Sequence, residues 1–356
     1  MGIRMSNKAV RGIISASFLV PCMLVHAQQP ADRNRFDSLY VKDYSHILTL
    51  RAYISTKYNS LQLTAGNGAK DLLFRPNNKV NFGVGASYRS LTLNIGVGIP
   101  GVNKDQDKYG ETRYLDAQAN VYTKHWATNI FLQRFKGYYL DTYTKDELGW
   151  QQASFYPTRP DLVQFNLGAS TVHIFNNDRF SYRAAFNQDA WQRRSQGSFL
   201  AGGYLTYFHL RADSSLVPVQ LLPQFADGLQ IRRGGFLDLG PSAGYAYTLV
   251  AGEHVFITAS MVFGAGLSFQ RAATVLSAER EDLRTVAGLG WHTQVRAGAG
   301  YNSARYFIGF SFNQENIGYL IDERSSFHWG VGNFRFNVAK RFGNPAAVLD
   351  RSLKRL

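Results

Sequence analysis

The stretch from Trp291 to Phe312, WHTQVRAGAGYNSARYFIGFSF, constrains the fold more than any other. Trp291, Thr293, Val295, Ala297, Ala299 and Tyr301 fall on one side of an extended segment. His292, Gln294, Arg296, Gly298 and Gly300 fall on the other, because side chains alternate across a strand. After Asn302-Ser303-Ala304 the pattern resumes, with Tyr306, Ile308, Phe310 and Phe312 opposite Arg305, Gly309, Ser311 and Asn313. This is a hairpin whose apolar side is regular and whose other side is rich in glycine, asparagine and charge. A soluble sandwich would need that second side as a packed core, for which it is a poor candidate. A transmembrane barrel needs the apolar side for lipid and the polar side for a lumen.

The N-terminus fits export. Arg4, Lys8 and Arg11 precede an apolar run from Gly12 to Val25, and Val25-His26-Ala27 places small residues where a signal peptidase reads them. The run is shorter than the ~20 apolar residues of a spanning helix. Pro21 before Cys22 speaks against a lipoprotein signal. Residues 1–27 are therefore read as a cleaved signal peptide, and removing them takes away three cations of the formal +14 and the sole cysteine. Disulfides and cysteine catalysis are excluded from the mature chain. With no later helical span, entry into a membrane requires a closed barrel, which satisfies every backbone group in lipid. The 33 glycines, 20 tyrosines and 25 phenylalanines suit closely spaced strands with aromatic surfaces. The remaining cations are spread over loops and suit a surface facing anionic lipid and lipopolysaccharide; export and the lack of a clustered basic tract exclude nucleic acid.

Taken in order, 28–44 is a polar periplasmic lead-in or partial plug, 45–342 the barrel, and 343–356 a periplasmic tail. Strands are expected at 46–56, 80–88, 91–99, 115–123, 126–135, 163–174, 180–186, 197–210, 236–250, 255–269, 291–301, 306–312 and 329–342. A further candidate lies near Leu61–Thr64, and Leu216–Phe225, with Pro218 and Pro223, is a short edge strand or a loop. Long loops are expected at 100–111, 137–161, 271–287 and 314–326. An even strand count with short periplasmic turns and long external loops gives the expected class: an all-β, antiparallel transmembrane β-barrel of 12–14 strands in the outer membrane.

Phe74-Arg75-Pro76-Asn77, Asp213-Ser214-Ser215-Leu216 and the run Gly240-Pro241-Ser242-Ala243-Gly244-Tyr245-Ala246-Tyr247 give the chain a family resemblance. Over roughly residues 37 to 342 it resembles the outer-membrane barrels of Bacteroidota-type bacteria known as domain of unknown function 4421. The resemblance implies a barrel and carries over no activity or site residue. The 14 residues after Phe342 depart from barrels that end on an aromatic residue.

Chemistry-bearing motifs are weak. Gly240-Pro241-Ser242-Ala243-Gly244 matches G-x-S-x-G but sits inside a strand, where a nucleophile elbow would need a strained turn and a helix. Gly96 to Gly101 matches G-x-G-x-x-G without a following helix. Asn103, Asp105 and Asp107 lack an EF-hand glycine, and the histidines show no zinc spacing. His209, Asp213 and Ser214 are the candidates for a lipid-modifying enzyme. No catalytic residue, cofactor or metal is assigned. The residues expected to line the lumen are Asn81, Arg89, Asn94, Asp116, Gln118, Asn120, Arg183, Gln294 and Arg296, with Gln164, Asn166 and Asn313 on the same face. The leading expectation is a non-catalytic barrel forming a narrow channel for small polar or anionic solutes. The alternatives are a non-conducting structural or surface-interaction barrel acting through loops 138–160 and 271–287, and an outer-membrane lipid-modifying enzyme. Its expected partners are outer-membrane lipid, lipopolysaccharide, the barrel-assembly machinery during insertion, and a small polar solute.

Overall fold

The computed structural model describes residues 36–343, except 66–67, 78–79, 89–90, 100–101, 103–104, 278–279 and 321–324. Residues 1–27 (the expected signal peptide), Arg89, Asn103 and residues 344–356 of the expected tail lie outside the described residues. The strands are β1 (Val41–Asp43), β2 (Leu48–Thr64), β3 (Leu72–Arg75), β4 (Val80–Tyr88) and β5 (Leu91–Gly98), then β6 (Arg113–Tyr122), β7 (Trp126–Leu140) and β8 (Thr158–Ile174). They continue with β9 (Ala190–Gln192), β10 (Gln196–Arg211), β11 (Ile231–Ala251), β12 (Val255–Ser277), β13 (Arg280–Asn302), β14 (Tyr306–Leu320) and β15 (Ser326–Phe342). Two short helices, α1 (Gln106–Tyr109) and α2 (Tyr182–Phe186), interrupt them.

Thirteen antiparallel strands form one sheet among the described residues. The ring itself closes through ten of them: β2, β15, β14, β13, β12, β11, β10, β8, β7, β3 and back to β2. This corrects the expectation of 12–14 strands in the closed ring. The cause lies at Arg75-Pro76-Asn77: Pro76 has no N–H to donate, and Asn77 is tied to Thr112 and Gly110. The strand that would flank all of β2 is thereby split into β3 and β4, and β3 bonds directly to β7. β4 and β5 then hang from β2, and β6 from β7.

The outward residues of the barrel strands are apolar, for example Phe82, Val84, Ile257, Met261, Phe263, Ile308 and Phe310, all exposed. The alternation read at 291–312 holds: His292, Gln294 and Arg296 are buried while Tyr301, Tyr306, Ile308 and Phe310 are exposed. Such a band is a surface for hydrocarbon. One end of the barrel has tight connections, including Gly252-Glu253 with both φ values positive (57° and 64°), the signature of a type I′ hairpin. We call it the turn end and the other the loop end.

Inward residues change character along the barrel, as β2 and β15 display. β2 carries Thr49 and Arg51 inward at the turn end, Ser55 and Asn59 midway, and Leu61 and Leu63 at the loop end, and each of these is buried. β15 runs from Phe327, Trp329 and Val331 through Asn337 to Arg341 in the opposite direction. The loop end is consequently filled by an apolar cork. Phe131, Phe208, Phe236, Tyr319, Phe327 and Trp329 meet there with Leu216, Leu221, Phe225 and Leu229 from the 212–230 connection. Trp329 lies 5.8 Å from both Phe131 and Phe208 between ring centroids. Burying side chains of this size contributes roughly 1.5–3 kcal/mol each.

The turn end is filled by a plug made of β1, α2, β9 and their connections. Tyr182, Phe186 and Ala185 of α2 pack against Tyr122, Phe256, Phe307 and Ala339 of the wall. Arg341 donates to the carbonyls of Gln188 and Ala190, and Arg51 to that of Asn187. Within the plug Arg183 pairs with Asp43 at 2.9 Å and Asp189 at 3.1 Å. Burial raises the Asp43 carboxyl, but the Arg183 charge and hydrogen bonds from Ser45 outweigh it and hold the carboxyl below its usual value.

Other expectations are corrected here. Residues 180–186 form α2 and its approach rather than a strand, because the segment is packed inside the barrel and has no lipid face to alternate against. Residues 271–287 and most of 314–326 are not loops: β12 and β13 run together from the turn end to 278–279, and β14 and β15 extend to Leu320 and from Ser326. The long loop at 137–161 shrinks to 141–157, and Leu216–Phe225 is a connection with a 3₁₀ turn at Val219–Gln224.

Candidate functional site

Between cork and plug lies a cavity of about 880 Å3. β2 supplies Tyr53, Ser55 and Lys57, β4 Asn81, β5 Asn94, and β6 Asp116, Gln118, Asn120 and Tyr122. Arg296 of β13, Asn313 of β14 and Asn333 and Arg335 of β15 complete the inward faces around it. Lys57 and Asp116 pair at 2.8 Å, and Asp116 also accepts from Gln118 and Gln133 at 3.1 and 2.9 Å. Arg296 is only 3% exposed. It donates to the Tyr122 hydroxyl, and its guanidinium lies 5.3 Å from the Tyr122 ring centroid. Arg335 stacks over Tyr53 at 4.3 Å. Among the described residues neither arginine has a carboxylate at ion-pair distance, and the Nε of each lacks a hydrogen-bond partner. The cavity is thus a cationic chamber whose arginines are oriented by aromatic faces.

The wall of this chamber is incomplete on one side. β5 bonds only to β4 and β6 only to β7, so the facing edges of β5 and β6 share no ladder among the described residues. Ile95, Gly96 and Gly98 of β5 and Ala117 of β6 line the cavity there. Outside, an apolar groove of about 680 Å3 runs over Leu50, Val84, Leu93, Ile95, Val338 and Phe342, and Ile95 borders both spaces.

Of the residues read from sequence as lining the lumen, Asn81, Asn94, Asp116, Gln118, Asn120 and Arg296 meet at this cavity. Gln294 points inward as well, but it is buried beside Ser170, outside the cavity. Arg183 is displaced from the wall into the plug, because its segment folds as α2 and finds Asp43 and Asp189 there. Lys57, Asn333 and Arg335 were missed, though Phe334 and Phe336 flank Arg335 on the outward register and thereby assign it inward.

The remaining motifs do not assemble chemistry. Gly240 and Gly244 are small because a Cβ at either would strike the β12 backbone, 2.4 Å from the Ala265 carbonyl and 2.1 Å from that of Met261. Ser242 between them lies on the continuing strand β11. The Asp213 amide donates to Asp161 and the Ser214 carbonyl accepts from Arg159, whereas His209 sits in an outer groove with Tyr207 and Phe269. Near the cork, His292 Nε2 lies 2.6 Å from Glu315, which accepts from Asn129 at 2.9 Å, and Tyr204 stacks on the imidazole. That group is enclosed and borders no described cavity, so it locks the strands together. No group of three potential metal ligands is present among the described residues.

The outer-membrane protease OmpT of Escherichia coli superposes with a TM-score of 0.37 at 8% identity, covering 85% of this chain and 98% of that one. The toluene transporter TodX of P. putida gives 0.23 at 8%, covering 83% and 90%. The translocator domain of the autotransporter NalP of Neisseria meningitidis gives 0.27 at 8%, covering 86% and 90%. No curated protein sequence matches the chain. The model of one family matches residues 35–342, nearly the whole of the described barrel with its plug, and the chain therefore belongs to the family described as Domain of unknown function (DUF4421).

Proposed function

We propose that the protein is a non-catalytic outer-membrane barrel that is shut in its resting state and holds a solute in a chamber within the membrane. The observation that carries this reading is the filling of the lumen twice, by the cork above the chamber and the plug below it. A barrel of about eight strands is already filled by side chains, and free aqueous passage belongs to 16–18. A ten-strand ring is near the lower limit, which favours the non-conducting alternative over the narrow channel. In this reading the turn end faces the periplasm. The apolar band meets outer-membrane lipid and lipopolysaccharide, and the barrel-assembly machinery handles the chain during insertion. Purified protein in a planar bilayer is expected to insert without conductance steps. Regular steps in repeated insertions would overturn the reading.

A further inference from the structure

We infer that the chamber takes the anionic headgroup of an amphiphile that enters sideways between β5 and β6. This rests on the proposal that both axial routes are closed. The outward residues Leu93, Ile95 and Val97 of β5 and Leu115 and Val121 of β6 are exposed and apolar, which places both edges at hydrocarbon depth. Open sheet edges are not tolerated against lipid; irregular backbone survives at that depth where it is buried in protein or lines a wet cavity, and here β5 and β6 line the cavity. The unpaired edges of β5 and β6 therefore mark a place where polar matter meets the wall.

Charge identifies that matter. Among the described residues Arg296 and Arg335 border the chamber without a carboxylate at ion-pair distance, and the two acids that line it are already matched, Asp116 by Lys57 and Glu111 by Arg113. An unpaired guanidinium out of bulk water is costly, and a carboxylate or phosphate monoester offsets that cost with two parallel N–H···O bonds. The tail is accounted for by the outer groove: Ile95 borders both spaces, so an occupant with its head at Arg296 continues over Leu93 and Val84 without leaving apolar surface. A free anion would make no use of that groove.

The test titrates the full chain in dodecyl maltoside micelles with dodecyl phosphate and, separately, with inorganic phosphate, following heat of binding. Dodecyl phosphate is expected to bind at least tenfold more tightly than inorganic phosphate. The pair Arg296→Gln and Arg335→Gln is expected to weaken it tenfold or more, whereas Arg296→Lys stays within a few-fold. A second variant, Ile95→Cys with Ala117→Cys in a Cys22→Ser background, is closed by a short bismaleimide and isolated by its gel mobility. Closure is expected to slow dodecyl phosphate uptake at least tenfold and to leave heat-modifiable mobility, the sign of a folded barrel, unchanged. Equal binding of inorganic phosphate overturns the amphiphile. Unchanged affinity in the glutamine pair overturns the headgroup site, and unchanged uptake after closure, or failure of the two thiols to be bridged, overturns the sideways route. Conductance steps would instead overturn the shut-barrel reading, so the two failures are distinguishable.

Discussion

Replacing Arg183 with alanine should open the plug's own fold without unfolding the barrel. Arg183 sits between Asp43 at 2.9 Å and Asp189 at 3.1 Å, and the Asp189 side chain is only 2% exposed. Removing the cation leaves Asp189 with the Asn187 amide at 2.8 Å and only the more distant charges of Arg51 and Arg341. Breaking a buried pair from one side costs about 3–5 kcal/mol, since the orphaned charge stays desolvated. At about 1.4 kcal/mol per factor of ten, the locally opened population of the plug rises by roughly 10²–10³ or more. Ala185, 2% exposed on α2 and packed toward Gly298, is a fitting reporter. In an Ala185→Cys, Cys22→Ser background, the rate at which a polar maleimide labels the folded protein follows the open population when closing is fast. Arg183→Ala is expected to raise that rate by at least about a hundredfold, with the barrel's thermal transition retained. A change under threefold would refute the account of the plug as held by this ion pair.

The same reporter should respond to acid. Asp43 is held below its usual value, so its contribution is complete above about pH 4 and disappears as pH falls through the lowered value; labelling, divided by the rate of a free cysteine thiol at the same pH, should rise only below about pH 4, and a flat normalised profile down to pH 3 would count against it. Trp329→Ala, in the middle of the cork, should cost about 3–5 kcal/mol through the space left among Phe131, Phe208 and Phe327. An unchanged denaturation midpoint would contradict tight packing there. Gly244→Val should block assembly, because the new Cβ would lie 2.1 Å from the Met261 carbonyl, whereas Ser242→Ala should assemble normally. Heat-modifiable mobility after refolding separates the two outcomes.

Much of the wall was legible because lipid imposes a period on it. Where a strand crosses hydrocarbon its outward positions must be apolar, and Val80–Tyr88, Leu91–Gly98 and Tyr306–Phe312 announce themselves with correct faces. The signal vanishes where the constraint does. β12 and β13 are 23 residues each, about twice the 9–11 that cross a bilayer, and in the surplus of β13 both faces are exposed from Leu283 to Ala287, so no face has to be apolar. The plug was misread for a related reason: Phe180, Tyr182, Ala184 and Phe186 mimic a two-residue period, but the segment is packed inside the barrel with no lipid-facing side. The chamber was partly visible, since Arg296, Asp116 and Asn81 follow from alternation alone. Its unjoined side was not, because the lack of pairing between β5 and β6 follows from where Pro76 and Asn77 send the backbone.

The union of β3 with β7 consists of the two pairs Phe74↔Leu140 and Arg75↔Tyr139, and that of β3 with β2 of three, while the other junctions of the hoop run for ten rungs or more. A cylinder joined at so narrow a weld will tear there first under load. A backbone lesion at 74 or 140 would relax it into a curled ribbon while leaving most other junctions whole, so the molecule's resistance to force is set by one of its shortest strands.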